Sequence, residues 1–257
     1  MILAIDVGNT NIVMGCMQGK EIKSISRLAT NIVKTDYEYA IEIRQLLDFS
    51  GINSQDFEGT IISSVVPPIT NTLNSAIKML TGHDSLIVGA GIKTGVNIVI
   101  DNPAQLGSDL LVAAVAALAE YKPPLLLLDM GTATTFTAID KNSNICGGAI
   151  APGVALSMDA LVSGTSQLPK ISIEAPKRYI GTNTIDSMKS GCVFGTAAMI
   201  DGMIERISEE LGGNVTVIAT GGLSRFIIRH CKQKIIFDDN LLLKGLAIIY
   251  SKNHKTN

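Results

Sequence analysis

Surplus positive charge is missing from this sequence: 21 Lys and Arg stand against 23 Asp and Glu, a formal net charge of −2 at pH 7. Nucleic acid and anionic membrane are therefore not expected as partners, because both are bound chiefly through excess Lys and Arg. A small polyanion stays compatible, since backbone N–H groups in a loop hold phosphate without net charge. Cysteine is scarce. Cys16, Cys146, Cys192 and Cys231 form no C-x-x-C pair; His83 and His254 lie far from them, and His230 merely adjoins Cys231. That spacing speaks against a zinc site and against a disulfide framework, and leaves reduced, mostly buried thiols as the expectation. Long apolar runs are absent too: no stretch approaches the ~20 residues of a membrane span. Met1-Ile2-Leu3-Ala4-Ile5 meets Asp6 with no basic leader, which reads as a first strand and not as a signal peptide. A cytoplasmic location follows as the expectation. Low-complexity tracts are lacking, and only Lys252–Asn257 reads as a loose tail.

What is present is a chain of 257 residues, 46% hydrophobic and 17% charged, which suits two well-filled domains of roughly 100–150 residues each. Ile2–Ile5, a polar turn and Ile12–Met17 read as a β-hairpin. Tyr37–Phe49 carries apolar residues at helical spacing and stops before Gly51. Gly59–Val66 reads as a buried strand ended by Pro67-Pro68, Asn71–Leu80 as a helix and Ser85–Val88 as a strand. Asp109–Glu120 is Ala/Leu-rich and apolar nearly all round, so a buried helix is predicted. Tyr121-Lys122-Pro123-Pro124 ends it, placing the domains at residues 1–118 and 119–257. Val215–Ala219 and Leu241–Tyr250 read as a late strand and a closing helix. Short buried strands alternating with helices make the fold class α/β.

The opening pattern recurs half a chain later. Ile2–Asp6 matches Leu125–Asp129, Gly8 matches Gly131, and both turns are rich in hydroxyl or amide side chains. Any buried hairpin needs a polar Gly-containing turn, but hairpin chemistry alone does not require Asp and Gly at the same offsets from an apolar strand. A strand–turn–strand unit of this kind suits phosphate. Gly8 admits close backbone approach, Asn9 and Thr10 add donors, and Asp6 suits Mg²⁺. Asp129, Gly131, Thr132 and Thr134 repeat that chemistry. Gly89–Gly95 resembles a P-loop only superficially, since Ile92 stands where glycine must precede the lysine. Gly107-Ser108-Asp109 opens the buried helix. Ser108 or Asp109 suits a helix cap, and Asp109 also suits a general base for a hydroxyl acceptor, kept ionised by the helix N-terminus.

Asp6-Val7-Gly8-Asn9-Thr10-Asn11, Asn102-Pro103 with Gly107-Ser108-Asp109, Asp129-Met130-Gly131-Thr132-Ala133-Thr134-Thr135, Gly147–Gly153 and Gly181-Thr182-Asn183-Thr184 follow one another as in type III pantothenate kinases, a family that this chain resembles along nearly its whole length. The resemblance implies two similar actin-like (ribonuclease H-like) domains of the acetate-and-sugar-kinase type, with ATP between them. It implies phosphorylation of pantothenate to 4′-phosphopantothenate, the first step of coenzyme A biosynthesis, with Mg²⁺ and a monovalent cation (K⁺ or NH₄⁺). Asp109 would accept the proton of the acceptor hydroxyl. Asp6, Val7, Gly8, Asn9, Thr10, Asn11, Ile12, Val13 and Thr132 would contact ATP, Asp129 the monovalent cation, and Gly221-Gly222 would lie near adenosine. Gly107, Ser108, Asp109 and Leu110 would meet pantothenate, and Thr184 would reach it in the partner subunit of a homodimer. The apolar stretches Met158–Val162 and Ile200–Ile207 could pack at such an interface, although core burial explains them equally well. The chain departs from the family pattern at Ser108-Asp109-Leu110, where Ala-Asp-Arg is usual, and at Ile100, where tyrosine is common. Two other readings are a related kinase with a different hydroxyl acceptor and a non-catalytic nucleotide-binding regulator.

Overall fold

The computed structural model describes residues 1–19 and 21–254. In chain order its elements are β1 (Ile2–Val7), β2 (Asn11–Gln18), β3 (Glu21–Ala29), α1 (Asp36–Phe49), β4 (Gly59–Ser64), α2 (Pro67–Thr81), β5 (Leu86–Ile87), β6 (Asn97–Ile98), α3 (Ser108–Glu120), β7 (Leu125–Met130), β8 (Ala133–Ile139), β9 (Asn144–Pro152), α4 (Val154–Ser163), α5 (Thr184–Glu210), β10 (Thr216–Thr220), α6 (Ser224–Ile227), β11 (Ile235–Phe237) and α7 (Leu241–Asn253). They form two compact units. The first holds Met1–Val96, Asn102–Ala119 and the stretch from Asn240 on; the second holds Asn97–Asp101 and Glu120–Asp239.

The first unit is built on a sheet of order β3-β2-β1-β4-β5. β1 pairs antiparallel with β2 and parallel with β4. Side chains alternate across a strand, so β1 feeds two cores. Leu3, Ile5 and Val7 pack with Tyr39, Ile43, Leu73 and Ile77 of α1 and α2. Ile2 and Ala4 pack on the other face with Val112 of α3 and Leu246 and Ile249 of α7. A strand buried on both faces must be apolar at every position, which is why Ile2–Ile5 shows no alternation. Pro67 opens α2 rather than merely ending β4, because proline at a first helical position loses no intrahelical bond.

The second unit has the order β11-β10-β7-β8-β9-β6. Read from β9 to β11 it repeats the first sheet: β7 pairs antiparallel with β8 and parallel with β10, as β1 does with β2 and β4. β6 is an addition at the far edge, parallel to β9. The recurrence of Asp and Gly after an apolar strand is thus the visible part of a repeated topology. Leu126, Leu128, Met130 and Phe136 pack here against Val193, Ala197, Ile200 and Ile204 of α5. Ile200 and Ile204 are core residues, not surface available for packing against a partner.

The last helix differs from the division at residue 118. α7 belongs to the first unit, where backbones approach closely at glycines. A Cβ on Gly59 would lie 1.9 Å from the Tyr250 hydroxyl, and one on Gly245 would lie 2.1 Å from the Val112 carbonyl oxygen. Nor is the start of the expected tail loose. Lys252 Nζ donates to the Thr94 carbonyl at 2.6 Å, Asn253 exchanges two hydrogen bonds with the Lys93 backbone, and His254 stacks on Tyr250 at 4.1 Å. The remainder of the Lys252–Asn257 stretch, residues 255–257, lies outside the described residues. No helix among the described residues is long and apolar enough to cross a membrane.

Candidate active site

In both sheets the predicted polar residues sit at the carboxyl ends of parallel strands, the edge where open α/β sheets bind ligands. In the first unit Asp6, the penultimate residue of β1, is in register with Ser63 of β4 and Val13 of β2. Ile12 is buried in the core and Val13 is partly buried, so their side chains support the turn. The turn itself is closed by the Gly8 N–H donating to the Asn11 carbonyl at 2.9 Å. Thr30 backs it: its hydroxyl donates to the Gly8 carbonyl at 2.7 Å and its N–H to the Thr10 carbonyl at 3.0 Å. Asn9, Thr10 and Asn11 are exposed. The turn is thus exposed and internally braced, and its amide and hydroxyl side chains can donate hydrogen bonds.

Asp109 lies in the first turn of α3 and is partly buried. Its Oδ1 accepts from the Leu110 N–H at 2.8 Å. A Cβ on Gly107 would fall 2.4 Å from that oxygen, so glycine at 107 is what leaves room for the carboxylate to fold back. Burial pushes the Asp109 carboxyl above the ordinary aspartate range, against the lowering effect of the Leu110 and Asp109 backbone N–H groups. The helix N-terminus alone predicts the opposite direction; desolvation outweighs it. Ser63 and Ser64, which the motif reading passes over, meet this loop through Ser108. Their signal is two hydroxyls in succession at the end of a buried strand.

In the second unit Asp129 occupies the place of Asp6, in register with Thr135 and Thr220. The turn is one residue shorter: the Gly131 N–H donates to the Ala133 carbonyl at 3.0 Å. Gly131 and Thr132 are exposed. The structure brings Gly221 to this turn. Its φ is +93°, and a Cβ there would lie 2.5 Å from Asp129 Oδ1 and 2.7 Å from the Met130 backbone. Conformation and space both demand glycine. Thr134 is fully buried, and its hydroxyl has no hydrogen-bond partner among the described residues. An unmet buried hydroxyl costs ~1–3 kcal/mol, a cost kept in the strand that carries the turn.

Thr184 opens α5, whose N-cap Asn183 accepts from the Asp186 N–H at 2.9 Å. It lines a groove of about 930 Å³ with Met158, Leu161, Asn183, Met188 and Gly191. Large exposed apolar residues adjoin this lining in sequence: Ile150 is 78% exposed and Ile180 81%.

The chain is similar over residues 2–206 to the family model of type III pantothenate kinases. It is 45% identical over 253 residues to a type III pantothenate kinase of Halalkalibacterium halodurans, covering 98% of this chain and 100% of the relative. A type III pantothenate kinase of an Exiguobacterium species is 42% identical over 255 residues, covering 99% and 100%. Among solved structures, a protein from Sinorhizobium meliloti described as a 2-dehydro-3-deoxygalactonokinase superposes with a TM-score of 0.61 at 11% identity, covering 100% of this chain and 98% of that one. The last likeness concerns the fold alone, two actin-like α/β units with the repeated sheet order. On the first three findings, the chain belongs to the type III pantothenate kinase family.

Proposed function

We propose that this chain transfers the γ-phosphoryl group of ATP to the hydroxyl of pantothenate, releasing ADP and 4′-phosphopantothenate, the first step of coenzyme A biosynthesis. The observation that carries this reading, within the family just established, is the Asp109 carboxylate. It is held at the start of a buried helix by the Leu110 N–H and given room by Gly107. As the acceptor oxygen forms its bond to phosphorus and the bond to the ADP oxygen breaks, Asp109 takes the hydroxyl proton. The transition state of phosphoryl transfer is loose, so orienting the hydroxyl matters more than base strength. A purely nucleotide-binding regulator has no use for a carboxylate built into this position.

The braced turn from Asp6 to Val13 would hold ATP phosphates, as would Thr132 in the second unit. Gly107, Ser108, Asp109 and Leu110 would face pantothenate. The carboxylates and hydroxyls at the two turns are oxygen donors, which suit hard cations. Asp6 would hold Mg²⁺ and Asp129 a monovalent cation. Bound there, these ions would offset the charge between carboxylate and polyphosphate. ADP release is expected to require pantothenate and to be faster in K⁺ or NH₄⁺ than in Na⁺ buffer at fixed Mg²⁺. Pantothenate-independent release would remove the proposed acceptor, and equal rates in the two buffers would remove the cation.

The chain would act in the cytoplasm as a homodimer, Thr184 completing the partner's acceptor site. Support comes from the groove that carries Thr184 and from exposed Ile150 and Ile180 beside it in sequence. Sedimentation at micromolar concentration should give twice the 27.2 kDa chain mass. A fully active species of single-chain mass would exclude the dimeric site.

A further inference from the structure

We infer that Ser108 is a positioning residue: its hydroxyl ties the start of α3, and with it the Asp109 carboxylate, to the end of β4. The inference rests on the reading of Asp109 as the base. A serine that capped α3 would bond backbone N–H groups of its own first turn. The Ser108 hydroxyl instead turns to the sheet. It donates to the Ser64 carbonyl at 3.0 Å, accepts from the Ser64 N–H at 3.2 Å and lies 3.0 Å from Ser63 Oγ. A hydroxyl has one hydrogen and two lone pairs. With its hydrogen on Ser64, Ser108 must accept from Ser63, and its capacity is then filled. Pantothenate is left only the backbone of residue 108.

The partners on β4 are not arbitrary. Ser63 is fully buried and sits on the rung of Asp6, while Ser64 sits on the rung of Val7. The next residue along the helix from Ser108 is the proposed base. One hydroxyl therefore links the base loop to the strand level that carries the first phosphate turn, all within the first unit. Ser64 is itself braced, its hydroxyl accepting from Thr70 Oγ1 at 2.8 Å and from the Val66 N–H at 3.1 Å. Without Ser108 the carboxylate keeps its Leu110 N–H bond but loses this anchorage. Misplacement of a reacting group by about 1 Å costs on the order of a hundredfold in rate.

The test is a kinetic cycle on the full chain with Ser108→Ala, Asp109→Asn and the double variant. Ser108→Ala is expected to lower kcat by roughly 10–100-fold with the KM for ATP unchanged, and Ser108→Thr, which keeps the hydroxyl, to retain most of the rate. In the Asp109→Asn background the same Ser108→Ala change should alter the residual rate by less than about twofold, since residues acting through one group are not additive. A general structural role would give the same fractional loss in both backgrounds, and that result overturns the proposal. So does a Ser108→Ala kcat equal to that of the unaltered protein. Should Ser108→Ala not fold, Ser63→Ala removes one of the three bonds from the strand side while the two to the Ser64 backbone remain; a smaller loss of kcat is then expected, confined to the Asp109 background, and a loss that persists unchanged with Asp109→Asn overturns the proposal. Impaired Asp109→Asn beside unimpaired Ser108→Ala sinks the positioning role alone, whereas undiminished turnover of Asp109→Asn sinks the base and the positioning role together.

Discussion

Asp109→Asn is expected to lower kcat by about 10²–10⁴-fold, the range for loss of a positioned base. The amide is isosteric and its oxygen can still accept the Leu110 N–H that now holds Oδ1 at 2.8 Å, so the loop should keep its shape. The Asp6 turn is closed by its own backbone bond and braced by Thr30; the dissociation constant for ADP should therefore stay the same. The raised Asp109 carboxyl adds a pH signature. The base works only when ionised, so kcat of the unaltered protein should fall on the acid side at a pH above the ordinary aspartate value of ~3.9. That limb should disappear in the variant. Stability should move the other way. A carboxyl raised above its unfolded value binds more proton in the folded state, so the unaltered protein loses stability as pH rises through that window. Asp109→Asn should melt at a higher temperature at neutral pH, and its advantage should fade as pH falls toward ~3.9. Turnover like that of the unaltered protein would exclude Asp109 from the chemistry. An unchanged melting difference across that pH range would show that burial does not penalise its charge.

The second large effect concerns what the acceptor loop lacks. Pantothenate carries a carboxylate, and a guanidinium binds one through two parallel charge-assisted hydrogen bonds. Leu110 offers neither charge nor donor in its side chain, and Ile100 has no phenol. A charge-assisted contact is worth ~1.5–3 kcal/mol, roughly ten- to a hundredfold in affinity. The KM for pantothenate should therefore be high, and Leu110→Arg should lower it by a factor approaching that range. The KM for ATP should hardly change. The backbone N–H of residue 110 that orients Asp109 survives the substitution. A new cation next to Asp109 should also draw its carboxyl pKa down, moving the acid limb of kcat to lower pH. Titration with a neutral analogue that lacks the carboxylate separates the causes, since the gain should be confined to pantothenate. If Leu110→Arg leaves pantothenate kinetics untouched, the anchor lies elsewhere, with Lys93 and Arg178 the first side chains to replace, or the acceptor is a different alcohol.

The readable parts of this chain were those whose physics is local. Ile2–Ile5 and Leu125–Leu128 are apolar at every position because β1 and β7 are buried on both faces. A strand that ends in Asp followed by a Gly-containing turn therefore stood out in the sequence, twice. Asp109–Glu120 announced α3 by composition. Less local elements escaped. β3 alternates exposed and half-buried residues at a sheet edge, a weaker pattern than a continuous run. The 27 residues of α5 carry Gly191, Gly195 and Gly202, which break up the helical signal, and only Ile200–Ile207 stood out as apolar, a stretch that the structure turns inward at Ile200 and Ile204.

Other features exist only through contacts between distant parts of the chain. Gly59 receives Tyr250, which gives the last helix to the first unit. Gly221 closes on Asp129. Ser108 turns away from its own helix because β4 presents a donor, an acceptor and a second hydroxyl 44 and 45 residues upstream. The direction of the Asp109 shift belongs with these. Its sequence neighbours, a helix N-terminus and two backbone N–H groups, favour the charged form. Burial favours the neutral one and wins, because desolvation is set by everything that packs around the carboxylate. By itself the sequence determined where the two Asp- and Gly-bearing turns and the start of the buried helix lie, since each is written in a few consecutive side chains. Tertiary structure alone decided how those residues are braced and how readily Asp109 ionises, since both depend on partners brought together only by folding.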